Sequence, residues 1–166
     1  MSSAAETLAF LREVRLFKDI ATPELTALSE TLRERPLRRG QVLLREGDPG
    51  EEMFVVRQGS LVISKAVTGR VEQVLARIGP GDFFGEMSLF DRSPRSATIQ
   101  ADSDATLLAL DREALRRLTE VSPRAAAAFF HALVQVLIER LRASGDLVAE
   151  VTRWGLEATG LDVDAR

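Results

Sequence analysis

From Pro36 to Leu110 the hydrophobic period is two, in short runs cut by glycine-bearing turns. That period is a strand's and not a helix's, so a chain built around it must fold about β-sheets. Val42-Leu43-Leu44, Met53-Phe54-Val55-Val56, Leu61-Val62-Ile63, Val71 to Ile78, Ser96 to Ala101 and Thr106 to Leu110 read as strands. Gly40, Gly47-Asp48-Pro49-Gly50, Gly59, Gly69 and Gly79-Pro80-Gly81 punctuate them and read as turn formers. Short strands at regular spacing indicate a sandwich or a barrel. Glu46, Glu51 and Glu52 fall in the turns and read as solvated loop charges.

Helical periods flank this region. Leu8, Leu11, Val14 and Leu16-Phe17 outline one amphipathic helix and its exit. Thr22-Pro23-Glu24 reads as a helix start with a hydroxyl N-cap, proline at the first helical position and an acid in the first turn. Leu25, Leu28 and Leu32 give that second helix its apolar face. On the far side, Asp111-Arg112-Glu113 caps a short helix through about Leu118, and Ser122-Pro123 caps a long one. The long helix carries Phe129-Phe130, Leu133, Leu137, Leu141, Ser144, Val148 and Val151, whose later steps follow a coiled-coil seam weakened locally by Gly145. Its first turns are expected to cover the sheet. The later stripe would be exposed unless it met a second copy, so a homodimer through this helix is expected.

The chain has 166 residues and a net charge of −3, the size of one domain and without the basic excess that draws nucleic acid. One domain over 1–166 is expected, with helices at about 4–34, strands at about 36–111, helices at about 111–157 and a frayed tail. Zero cysteines exclude disulfides and thiolate chemistry, and the single histidine, His131, excludes a multi-histidine metal centre. No signal peptide and no membrane-length apolar run is visible, so the expected location is the cytoplasm.

The chemistry concentrates in Phe83-Phe84-Gly85-Glu86-Met87-Ser88-Leu89-Phe90-Asp91-Arg92-Ser93-Pro94-Arg95-Ser96-Ala97-Thr98. Gly85 lets backbone approach a ligand closely. A helical turn beginning there presents the N–H groups near Gly85, Glu86 and Met87 to an anion. Arg95 can hold a phosphate with two parallel N–H bonds. Ser96 adds a hydroxyl donor and Ala97 an unobstructed N–H, whereas Glu86 is an acceptor suited to a sugar hydroxyl. Donors for a monoanion beside one acceptor for a hydroxyl describe a small phosphorylated sugar.

Phe84-Gly85-Glu86-Met87-Ser88-Leu89 followed by Pro94-Arg95-Ser96-Ala97-Thr98 resembles the phosphate-binding cassette of cyclic nucleotide-binding domains, the family of catabolite-activator-type regulators and protein kinase regulatory subunits. The resemblance runs from about Leu11 to the mid-140s. It implies a mainly β fold with flanking helices: an eight-stranded antiparallel jelly roll, or double-stranded β-helix, with N-terminal helices and a long C-terminal helix. It implies that Glu86 takes the ribose 2′-hydroxyl, Arg95 the cyclic phosphate, and that Gly85, Met87, Ser88, Ser96 and Ala97 complete the cradle. Arg140 to Gly145 resembles the dimer helix of catabolite-activator-type proteins, which would set Ser144 against the purine amino group; a plain surface serine is the other reading. Cyclic AMP is expected over cyclic GMP.

The tail after Glu150 matches no helix-turn-helix, so no DNA contact is expected. Trp154 is expected to pack in the dimer seam or to cover the purine. The expected function is a stand-alone cyclic nucleotide receptor that repositions its C-terminal helices toward a protein effector, with Leu89 and Phe90 relaying to Leu118 and Phe129. The alternative is a dimeric scaffold with a vestigial site. Neither metal nor cofactor is expected, and not an enzyme, because phosphodiester hydrolysis calls for metal clusters or a positioned base. Metal-binding cupins share the jelly roll, but their histidines have no counterpart here.

Overall fold

The computed structural model describes residues 3–69 and 71–158. They form two compact units that divide between Phe129 and Phe130. The expected frayed tail lies outside the described residues.

The first unit opens with helix α1 (Ala4–Glu13), which starts in a capping box. The Ser3 hydroxyl accepts from Glu6 N, and the Glu6 carboxylate accepts from Ser3 N. Helix α2 (Thr22–Thr31) begins at the expected cap itself, one residue earlier than read. Ala21 is its N-cap, without a side-chain bond, and the Thr22 hydroxyl instead accepts from Arg12 at 2.7 Å. That bond diverts the hydroxyl from its own helix and ties α2 to α1.

Eight strands follow: β1 (Arg33–Leu37), β2 (Val42–Leu44), β3 (Glu52–Gln58), β4 (Leu61–Thr68), β5 (Val71–Ile78), β6 (Phe83–Phe84), β7 (Thr98–Ala101) and β8 (Ala105–Asp111). They make two four-stranded sheets in the orders β1-β8-β3-β6 and β2-β7-β4-β5, with antiparallel pairing throughout. The mainly β class with flanking helices is therefore observed.

Two strands carry no period-two signal in the sequence. β1, Arg-Glu-Arg-Pro-Leu, is charged and holds a proline, and it lies at a sheet edge where a missing N–H is tolerated. Arg33, expected within the helical region, donates to Glu52 and Asp111 across the sheet at 2.7 and 2.9 Å. β6 is only two residues long and is defined by its pairing with Phe54 and Val55.

Leu37, Phe54, Leu61, Phe84, Ile99 and Leu107 belong to one core cluster fed by both sheets. Met53, Val55, Leu108 and Leu110 alternate with core residues along β3 and β8 and are equally buried, so the other face of that sheet is covered as well. Among the helices, Leu11, Phe17 and Leu25 are fully enclosed, with the Phe17 and Phe129 rings 5.8 Å apart. Gly40, Gly47 and Gly59 all lie at positive φ, as their reading as turn formers requires.

Helix α3 (Arg112–Val121) is capped by Asp111, whose side chain accepts from Ala114 N at 2.8 Å, and runs past Leu118 to Val121. Helix α4 (Pro123–Ala158) opens on the expected proline, with the Ser122 hydroxyl accepting from Ala125 N at 3.4 Å. It continues unbroken through Gly145. In the second unit Leu133 is buried, while Leu141, Val148, Val151 and Trp154 are 63–74% exposed. Among the described residues no helix is long and apolar enough to cross a membrane.

Candidate functional site

The stacked rings of Phe54 and Phe84, 5.4 Å apart, carry β3 and β6 into the turn that follows. Gly85 then adopts φ 77°, a left-handed conformation that starts the 3-10 turn Glu86–Leu89. This turn is tighter and shorter than the helix start read from the sequence. Ser88 N donates to Gly85 O at 3.2 Å and Phe90 N to Met87 O at 3.0 Å. Glu86 and Ser88 are turned inward, 7% and 4% exposed, and Met87 points out, 56% exposed.

Arg95 reaches the turn from the opposite side. Its backbone is pinned to the Gly47-Asp48 loop, with Arg95 N donating to Asp48 O at 2.8 Å and Gly47 N to Arg95 O at 2.9 Å. Ser96 and Ala97 sit in the bend just before β7, Ser96 exposed and Ala97 half-buried. The strand expected from Ser96 thus begins at Thr98, because the chain is still turning out of the loop.

The Arg95 side chain is buried. Nη1 donates to Ser88 Oγ at 2.9 Å and more weakly to Gly85 O at 3.4 Å, while Nε is shut from solvent with no partner. The guanidinium carbon lies 6.0 Å from the centroid of the Phe54 ring. Burial holds the Arg95 pKa below its ordinary value and the field of Glu52 partly offsets this. An arginine remains protonated all the same. The result is a fixed, desolvated cation with unused donors, which attracts an oxyanion.

Two glycines make room for it. A Cβ on Gly50 would lie 2.1 Å from Arg95 Nε, and one on Gly85 would lie 2.8 Å from Nη1 and 3.0 Å from Glu52 O. Gly50, read as a turn residue, is therefore also a packing surface for the guanidinium.

Three further contributors were not legible as such. Glu52, taken for a solvated charge, pairs with Arg33 at 2.7 Å and Arg35 at 3.6 Å. Glu46 accepts from Ala66 N at 2.9 Å, so it too is engaged. Arg112, read only as part of a cap, donates from Nη2 to Ser88 O at 2.7 Å and Asp91 O at 3.0 Å, tying the turn to the first residue of α3. Replacing Arg112 with alanine strips both carbonyls of a charged donor, at a cost of about 2 kcal/mol, or roughly 5 °C in melting temperature. A thermal melt unchanged by Arg112→Ala would show that the tether contributes nothing.

Gly85, Glu86, Met87, Ser88 and Arg95 thus share one turn and its facing loop, with Ser96 and Ala97 next to Arg95 in the chain. Ser144 belongs to the second unit, where its hydroxyl donates to Arg140 O at 3.0 Å on its own helix. Among the described residues no group of three or more His, Asp or Glu is placed to hold a metal.

A two-sheet β module that carries a buried arginine behind a glycine-opened turn is suited to hold a small anion. The chain belongs to the cyclic nucleotide-binding domain family, whose pattern matches residues 34–122. It is 28% identical over 141 residues to the CRP-like cAMP-activated global transcriptional regulator of Mycobacterium tuberculosis, a match that covers 85% of this chain and 61% of that protein. The chain therefore spans less than two thirds of that relative's length. Among solved structures it is similar to the N-terminal domain of a transcriptional regulator from Streptomyces coelicolor, with 34% identity, TM-score 0.71, and coverage of 84% of this chain and 94% of that one. It is also similar to a cyclic nucleotide-binding domain from Methylobacillus flagellatus, with 30% identity, TM-score 0.77, and coverage of 89% and 83%.

Proposed function

We propose that the chain is a cyclic nucleotide receptor domain in which Arg95 takes the cyclic phosphate and Glu86 the ribose 2′-hydroxyl. The observation that carries this reading is the Arg95 guanidinium, 7% exposed, with Nε unpartnered and no ion-pair partner among the described residues. A buried cation left so is costly for a fold and useful for a site. The N–H groups at Gly85, Met87 and Ala97 and the Ser96 hydroxyl complete the cradle, Ser88 stands behind Arg95, and Ser144 is assigned to the purine. We take the two sheets for a jelly roll and the whole chain for one domain.

Cyclic AMP is favoured over cyclic GMP, a choice supported by the cAMP-activated name of the Mycobacterium tuberculosis relative. We read the protein as a cytoplasmic regulator and not an enzyme, in keeping with regulatory relatives such as kinase regulatory subunits. Its output passes to a protein effector through α3 and α4. The tie from Arg112 to Ser88 O and Asp91 O supplies a physical link between cassette and α3 that supports this route. A ligand shifts such an equilibrium only by its differential affinity for the two states. Hydrogen exchange in α3 and α4 should therefore slow on ligand addition, and exchange that is indifferent to ligand would sink the switch.

The exposed stripe of α4 supports a homodimer. Leu141, 74% exposed, is placed in the seam, so Leu141→Asp should shift the sedimentation of a dimer to that of a monomer. Equal sedimentation of the two proteins would remove this helix from the interface.

Binding itself is tested by thermal melts. Cyclic AMP at a hundred times its Kd should raise the melting temperature by roughly 5–10 °C, and 5′-AMP should do far less. A melt that ignores cyclic AMP, cyclic GMP and cyclic di-GMP alike would favour the dimeric scaffold.

A further inference from the structure

Ser88 is 4% exposed and its hydroxyl is occupied by Arg95, which marks it as something other than a surface donor. Both hydrogens of Arg95 Nη1 are taken, one by Ser88 Oγ at 2.9 Å and one by Gly85 O at 3.4 Å. Nη2 is left for a ligand, because Nε is shut from solvent where the guanidinium packs on Gly50. The plane has little freedom to turn. A Cβ on Gly50 would fall 2.1–2.4 Å from Nε, the guanidinium carbon and Nη2, and Phe54 stands 6.0 Å from that carbon.

We propose that Ser88 is a positioning residue for the cyclic phosphate: its hydroxyl fixes the rotation of the Arg95 guanidinium so that Nη2, and not Nη1, is the donor left to the ligand. This rests on the reading of Arg95 as the phosphate ligand. The Ser88 hydroxyl acts through Arg95 and not on the ligand itself. It spares the complex the cost of ordering the arginine at the moment of binding. It also decides which of the two exocyclic phosphate oxygens receives the bond, since the two lie on opposite sides of the phosphodiester ring and only one can meet a fixed donor squarely.

The chain is titrated calorimetrically with cyclic AMP and with its two exocyclic phosphorothioate diastereomers, in which one oxygen or the other is sulfur. Removing a hydrogen bond to a charged group with Ser88→Ala should weaken cyclic AMP binding about five- to tenfold. The affinity ratio between the diastereomers should fall toward one, because a guanidinium free to rotate no longer tells the two oxygens apart. Ser88→Thr keeps the hydroxyl and should keep the wild-type ratio even if its extra methyl lowers affinity. Lower affinities for all three with an unchanged ratio would mark a general loosening of the fold and would overturn the positioning role. Wild-type affinity and ratio in Ser88→Ala would overturn the proposal, as would tighter binding, which would make Ser88 a latch that competes with the ligand. Failure of the wild-type protein to bind cyclic AMP is a separate result, seen before any variant is tested, and it overturns the receptor reading together with this one.

Discussion

Alanine at position 95 is expected to weaken cyclic nucleotide binding by about a hundredfold, because losing a charged hydrogen-bond donor costs up to about 3 kcal/mol and every 1.4 kcal/mol is a factor of about ten. The fold should survive the change. Arg95 is a desolvated cation whose pKa is depressed by burial, with Nε unsatisfied and no ion-pair partner among the described residues. Removing such a group relieves a penalty as well as losing the bonds to Ser88 and Gly85. Calorimetry combined with a melt distinguishes the two effects. The expected result is no measurable heat from a protein that melts within a few degrees of wild type. Wild-type affinity in Arg95→Ala would place the phosphate elsewhere.

Gly50→Ala should reproduce that loss without touching a single hydrogen-bonding group. The added methyl would sit 2.1 Å from Arg95 Nε, 2.2 Å from the guanidinium carbon and 2.4 Å from Nη2. Backbone strain is not the cause, since the φ of Gly50 lies outside the left-handed region. What yields is the far end of a flexible side chain, so stability changes little while the cation is pushed from its seat. Binding should fall by an amount comparable to that in Arg95→Ala. The two losses should not add, because in Gly50→Ala/Arg95→Ala there is no guanidinium left to displace. Additive losses in this double-variant cycle would show that Gly50 acts on the site by some other route.

The contrast between Gly85 and Gly50 explains how far the sequence could be read. Gly85 to Leu89 and Pro94 to Thr98 were recognisable because the cassette is local: a left-handed glycine, an inward acid and an arginine within one short segment. Gly50, Glu52 and Arg112 contribute through partners distant in the chain, and nothing in their neighbours' periodicity announces this. Glu52 looks like a loop charge until β1 brings Arg33 and Arg35 beside it. β1 itself has charge and a proline where a strand signal should stand, because its edge position demands little of the ladder. The helices α3 and α4 were readable from Asp111 and Ser122-Pro123, since caps are local chemistry. The start of α2 was misplaced by one residue because Arg12, across a turn, claims the Thr22 hydroxyl.

Among all measurements, calorimetric titration of the purified wild-type chain with cyclic AMP, cyclic GMP and cyclic di-GMP bears most directly on the receptor reading. Micromolar or tighter binding of one of them, cyclic AMP first, at one ligand per chain is the expected result. Absence of heat with all three, from a folded protein shown to carry no ligand through purification, would contradict it.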